Sequence, residues 1–178
     1  MSASVVLVNG APGAGKTTLA RPLSIELGAP VVAKDAIKEA LADAIPANLP
    51  TSSLGALASD AMWRIAGMLE GLLIVESFWA RDRDEGFLRA GLAASGAHRA
   101  VEVWCHVPIE VGRQRFTTRP RHAAHDDARR AAEWESLASR AAPCSGQPTV
   151  SVSTAGPVDV RALAARVRKL LQEPKARL

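Results

Sequence analysis

The sequence predicts a three-layer α/β fold, a five-stranded parallel sheet with helices on both faces, and two observations predict it. Five short apolar runs are continuous rather than alternating, as strands covered on both sides are. Each run is followed by a segment whose apolar residues recur at helical spacing, and strands alternating with helices build parallel sheets. The chain has 178 residues without repeats or low-complexity linkers, so 1–178 reads as one domain.

The first run, SVVLVN at 4–9, is rich in β-branched residues. A helix is expected from Lys16 to about Leu27, stopped by Gly28 and Pro30. PVVAKD at 30–35 reads as the second strand, and AIKEALADA as a short helix ending before Pro46. IPANLPTSS is a loop. From Leu54 a long helix follows, with its apolar stripe at Leu57, Ala58, Ala61, Met62, Ile65, Met68 and Leu69.

LLIVESFW, bounded by Gly71, is the third strand, and DEGFLRAGLAAS a helix. RAVEVWCHVP is the fourth strand, and IEVGRQRFTTR a helix running into Pro120. An arginine-rich bend leads to a helix opening near Asp126 and ending before Pro143. PTVSVST is the fifth strand. Val160, Leu163, Ala164, Val167, Leu170 and Leu171 mark the last helix.

Composition removes several function classes. No run approaches the ~18 apolar residues of a membrane span. The N-terminus lacks the charged region of a signal peptide. Cys105 and Cys144 lie far apart without a partner motif and read as reduced thiols, which suits a cytoplasmic protein. His122 and His125 could share a metal, but a pair alone in a polar stretch reads as a solvated loop.

The net charge of +4 and pI near 9.6 raise nucleic acid as a partner. Scarce aromatic residues and the absence of tyrosine argue against a base-stacking surface. The arginines gather instead between 113 and 130, where a nucleoside triphosphate is the better guest.

The strongest signal is GAPGAGKT, residues 10–17, which satisfies G-x-x-x-x-G-K-[ST] completely. Gly10, Ala11, Pro12, Gly13, Ala14 and Gly15 form a loop whose N–H groups can face phosphates, with a helix N-terminus behind it. Lys16 brings a point charge to the β- and γ-phosphates, the Thr17 hydroxyl is a magnesium ligand, and Thr18 completes the site. ATP and Mg²⁺ are the cofactors this implies. A GTPase would carry N-K-x-D, which is absent. Motor and AAA ATPases would be longer, with an apolar run ending in aspartate, where this chain has LLIVES.

VNGAPGAGKT, KDAIKEAL, LLIVESFW and VWCHVPIEVGRQRFTTR together resemble the small-molecule and nucleoside monophosphate kinases of the P-loop class. Within it the chain looks most like the chloramphenicol phosphotransferase-like and related antibiotic phosphotransferases. The resemblance covers nearly the whole chain and implies a P-loop kinase fold with an arginine-rich lid at about 117–127.

It makes Asp35 the carboxylate that accepts the proton of the attacking hydroxyl; the plainer reading is a helix N-cap. Glu76 closes strand three, where such proteins keep the acid that orients magnesium-bound water, so it serves the magnesium shell or binds the substrate hydroxyl; the plainer reading is a strand end reaching solvent. Phe78 and Trp79 could wall the acceptor pocket or pack in the core. Arg119, then Arg113 and Arg121, are the lid arginines that fold over the triphosphate, unless they pair with Glu110 or Asp126. TAGPV after strand five, with Gly156 and Pro157, occupies the loop that holds adenine in similar kinases.

For the acceptor, only Arg64 is an arginine between 36 and 70, so a second phosphate is not expected there. An uncharged hydroxyl-bearing small molecule in an apolar pocket built from residues 45–63 fits better, an antibiotic first and a nucleoside or metabolite second. Two other classes stay open, a nucleotide-dependent regulatory ATPase and a nucleic-acid end kinase.

Overall fold

Five strands, Ser4–Asn9 (β1), Val31–Ala33 (β2), Leu72–Glu76 (β3), Arg99–His106 (β4) and Thr149–Ser153 (β5), form one sheet in the order β2-β3-β1-β4-β5. Every pairing is parallel. The computed structural model describes residues 3–45, 49–120, 122–125 and 127–173. The helices are Lys16–Leu27 (α1), Lys34–Ala44 (α2), Thr51–Met68 (α3), Arg81–Ala94 (α4), Ile109–Thr118 (α5), Asp127–Ser139 (α6) and Val160–Gln172 (α7).

The period of two along β1 sorts the core. Val6 and Val8 face α1 and α7 and meet Leu23, Val103, Leu163 and Val167. Val5 and Leu7 face the other way, against Met62, Trp63, Leu73 and Leu88. A side chain of this kind, fully buried, stabilises by roughly 1.5–3 kcal/mol, so Leu7→Ala, at 0% exposure, would be felt in full.

Two departures from the expectation bear on the site. Strand two stops at Ala33, and Lys34 and Asp35 already belong to α2. Asp35 sits in the first turn of that helix, where a carboxylate complements the positive end. It is not the N-cap, which is Ala33. Helix α3 begins at Thr51 and buries Leu54, Ala58, Met62, Trp63 and Ala66. Leu57, Ile65 and Met68 of the expected stripe are exposed. Apolar residues occupy most of this helix's circumference, so periodicity could not select the buried side.

Candidate active site

All five strands point their carboxyl ends at one cleft, where open α/β sheets hold ligands. The loop after the central strand β1 carries GAPGAGKT. Gly10 (φ +153°) and Gly13 (φ +87°) have conformations that L side chains rarely adopt. A Cβ on Gly10 would lie 2.4 Å from the Cys105 carbonyl oxygen, and one on Gly13 2.2 Å from that of Gly112. The loop is thus pressed against β4 and α5, and glycine is required for packing as well as for exposing N–H groups.

Lys16 Nζ donates to the carbonyls of Gly10 (2.9 Å) and Ala11 (3.2 Å), which holds the ammonium over the loop. Thr17 Oγ1 donates to Glu76 Oε2 at 3.2 Å. Two supports come from distant residues, one opening the TAGPV loop and one, on α6, that the sequence did not single out. Thr154 Oγ1, just beyond β5, donates to the Ala14 carbonyl at 2.6 Å, and Trp134 Nε1 on α6 donates to the Pro12 carbonyl at 3.1 Å.

A cavity of about 750 Å³ extends from this loop between α2, α3, α4 and α5. It brings together Lys16, Thr17, Thr18, Asp35, Glu76 and Arg119. Ala33 is the sheet partner of Glu76, so Asp35 follows two residues beyond the strand position beside it. Burial raises the Glu76 pKa, opposed by the nearby Lys16 charge, reinforced by Asp35, and lowered by the Thr17 hydrogen bond and Arg119. Glu76 is only 4% exposed, so its strand does not end in solvent as the plainer reading had it.

The far part of the cavity differs from the apolar pocket expected. Helix α3 supplies mainly polar groups, Thr51, Ser52, Ser59 and Asp60, while Phe78, Trp79 and Phe87 give the apolar walls. Trp79 is also packed on Trp63, with ring centroids 6.2 Å apart. Lys34 and the almost fully buried Lys38 line it too, residues a search for arginines passes over. Arg64 is exposed and does not line it. Arg83 lies alongside, its Nε and Nη2 donating to Asp84 Oδ1 (2.8 Å) and Oδ2 (2.7 Å). Burial raises the Asp84 pKa, but the Arg83 hydrogen bond, the Ala80 N–H and the charges of Arg83 and Lys34 overcome it, leaving the carboxyl below its ordinary value.

The arginine segment is partly corrected. Arg113 points away from the cavity, largely exposed, and its guanidinium forms an ion pair at 2.9 Å, with Glu135 rather than with the Glu110 or Asp126 expected. Arg115 is there instead, donating to the carbonyls of Thr154 (2.9 Å) and Ala155 (3.3 Å) beside Gly15. A two-residue step on a helix turns a side chain by about 200°, and arginine counting cannot see it. Gly156 and Pro157 are exposed and do not line the cavity; Thr154 and Ala155 make that loop's contacts with Arg115. Arg121 lies outside the described residues.

His122 and His125 do not form a solvated loop. Each pairs at 2.9 Å with a carboxylate on α2, Asp43 and Glu39 respectively, and Thr51 Oγ1 donates to the Ala124 carbonyl at 2.6 Å. Residues 122–125 are thereby docked on α2 and α3 at the cavity's edge.

Oxygen donors at Thr17 and Glu76 suit a hard cation. Among the described residues no three or more His, Cys, Asp or Glu cluster as a metal cage. A cation here would take its other ligands from phosphates and water, as magnesium does.

The profile of a family described as an AAA domain matches residues 5–144. No curated protein matches the sequence. A crystal structure described as a candidate kinase from Chloroflexus aurantiacus J-10-fl is 28% identical with a TM-score of 0.83, over 97% of this chain and 100% of that one. The APS kinase of Mycobacterium tuberculosis, in complex with AMPPNP and APS, is 17% identical with a TM-score of 0.65, over 97% and 99%. The shikimate kinase of Acinetobacter baumannii, in complex with shikimate, is 19% identical with a TM-score of 0.55, over 93% and 91%. The latter two likenesses are of fold.

Proposed function

The chain belongs to the AAA-domain family, with a P-loop kinase fold, and on that premise we propose that it is an ATP- and magnesium-dependent phosphotransferase acting on a hydroxyl of a small molecule. The family carries the description that the sequence had set aside on Glu76 and chain length. The glutamate stands, and the 28%-identical neighbour is described as a candidate kinase. The observation that carries the proposal is one cavity lined by Lys16, Thr17, Asp35, Glu76 and Arg119 at one end and by aromatic walls and polar α3 groups at the other. Such a volume suits a nucleotide and an acceptor together.

The loop N–H groups and the start of α1 bind the β- and γ-phosphates, and Lys16 neutralises charge between them. Thr17 and Glu76 would hold magnesium, Glu76 through water; the ion's chemistry is to neutralise charge on the phosphates. Asp35 takes the proton of the attacking hydroxyl. The bond from that oxygen to the γ-phosphorus forms as the bond to the β-phosphate oxygen breaks, and ADP leaves with the electron pair. Transfer of this kind is loose, so Asp35 orients the hydroxyl and accepts its proton late. Arg119 supplies positive charge as the phosphoryl group moves.

An antibiotic hydroxyl is the acceptor class put first, with a nucleoside or other metabolite second; the aromatic walls favour a molecule with a flat apolar face. The test is a panel of hydroxyl compounds with ATP and magnesium, read by mass spectrometry for a gain of one phosphate. ADP production without any phosphorylated compound would favour a regulatory ATPase instead.

A further inference from the structure

Glu102 lies on β4 with 1% of its surface exposed, on the side of the sheet where its neighbours are Val5, Leu7 and Val75. Among the described residues its partners are hydrogen-bond donors and no lysine or arginine pairs with it. Ser145 N and Oγ donate to Oε2 at 2.9 and 2.6 Å, and Cys144 N at 3.2 Å. The Ser145 hydroxyl itself accepts from Gln147 N, so its proton is directed at Glu102. Such donors offset the cost of burying a carboxylate among apolar side chains.

The other oxygen, Oε1, accepts from Asn9 Nδ2 at 2.9 Å. That contact decides which way the Asn9 amide faces, because the amide has donors on one side and an acceptor on the other. Asn9 Oδ1 must therefore look away from Glu102, and there it accepts from Gly10 N at 2.7 Å and from Trp79 N at 3.1 Å. Gly10 opens the phosphate loop, and Trp79 is a wall of the cavity's far part. One carboxamide thus joins the start of the nucleotide site to the acceptor wall.

We propose that Glu102 is a positioning residue: by fixing the Asn9 amide it sets the phosphate loop and the Trp79 wall in one register, so nucleotide and acceptor sites are placed together. The inference rests on the phosphotransferase reading for its consequence, though not for its geometry.

Transposing donor and acceptor tests it. Glu102→Gln sets an NH₂ group against either Asn9 Nδ2 or the Ser145 donors, and Asn9→Asp sets an oxygen against Glu102 Oε1. Together they restore the 9–102 pairing reversed: the new amide donates to the new carboxylate, still accepts from Ser145, and the second aspartate oxygen still accepts from Gly10 and Trp79. Only the longer contacts of Asn9 Nδ2 with the Trp79 carbonyl (3.4 Å) and Cys144 Sγ (3.7 Å) and of Cys144 N with Oε1 (3.3 Å) are given up. Measured well below each melting temperature, affinity for a non-hydrolysable ATP analogue with magnesium should fall by about 10-fold or more in each single variant. It should return to within about 3-fold of wild type in the double. With an acceptor in hand, kcat should fall and acceptor KM should rise together in the singles.

Singles that bind the analogue as wild type does, with only the melting temperature lowered, would overturn the proposal. So would a double variant as impaired as the singles, or one that fails to fold. Analogue binding needs no acceptor. If wild-type protein phosphorylates nothing, the phosphotransferase reading fails while this result still stands or falls by itself.

Discussion

Neutralising Glu76 should make the apoprotein more stable while impairing its use of magnesium nucleotide. Glu76 is 4% exposed, and burial is the largest influence on it, raising its pKa against the pull of Lys16, Thr17 and Arg119. A carboxyl whose pKa is higher folded than unfolded binds more protons in the native state between the two values. Stability therefore falls as pH rises through that window, and the ionised group is a net cost at neutral pH. Glu76→Gln removes the charge, keeps the volume and leaves an amide oxygen to accept from Thr17 Oγ1. The gain should be about 1 kcal/mol, the low end of what burying an incompletely compensated polar group costs, or roughly 2–4 °C in Tm for a chain of this size. Thermal unfolding of both proteins at neutral pH should show the variant melting higher. The gap should close as pH falls toward the ordinary carboxyl value of 4.5, because wild-type Glu76 in the native state takes up its proton above that value. Adding ATP analogue and magnesium should reverse the order, because wild type gains more from binding. A variant that melts lower at neutral pH, or a gap that ignores pH, would show that the attraction of Lys16 and Arg119 outweighs burial and would refute the reasoning.

Asp35→Asn should lower transfer by ~10² to 10⁴ with ATP affinity nearly unchanged, in steady-state kinetics and calorimetry; normal turnover would leave Asp35 as a first-turn helix charge only. Arg115→Ala should weaken ATP-analogue binding by about 10-fold, having lost its hold on the Thr154 loop, while Arg113→Ala stays within about 2-fold, since an exposed ion pair contributes little. Titration calorimetry on both variants decides it, and equal losses would contradict the geometry. The Cys105 thiol is fully buried and its pKa is pushed up to about 12, chiefly by burial, so a thiol reagent near pH 8 should modify it at least ~10²-fold more slowly in the native protein than after unfolding. Equal rates would show that β4 is accessible.

The fold was legible because its signals are local. Continuous β-branched runs name buried parallel strands, and the phosphate-loop glycines mark a position that tolerates no Cβ. Lys16, Thr17, Asp35, Glu76 and Arg119 line one cavity because each sits at or just past a strand or helix end, which the topology brings together. What could not be read depends on rotation and on distant partners. Arg113 and Arg115 differ by two helical positions and face different environments. Trp134 lies 122 residues from the loop carbonyl it supports, and Glu102 looked like one more strand residue until Asn9 and Ser145 were seen around it. The polar lining from α3 was hidden by apolar residues that turned out to be exposed.

The central claim is transfer of the γ-phosphoryl group to a hydroxyl, and ³¹P NMR of the wild-type protein with ATP, magnesium and a mixture of hydroxyl compounds follows that group directly. The γ-phosphate resonance should decline as a phosphomonoester resonance rises in step with ADP. Lys16→Met, still folded, should slow that exchange by at least ~10³. Inorganic phosphate rising alone, or a Lys16→Met protein that keeps its rate, would contradict the account.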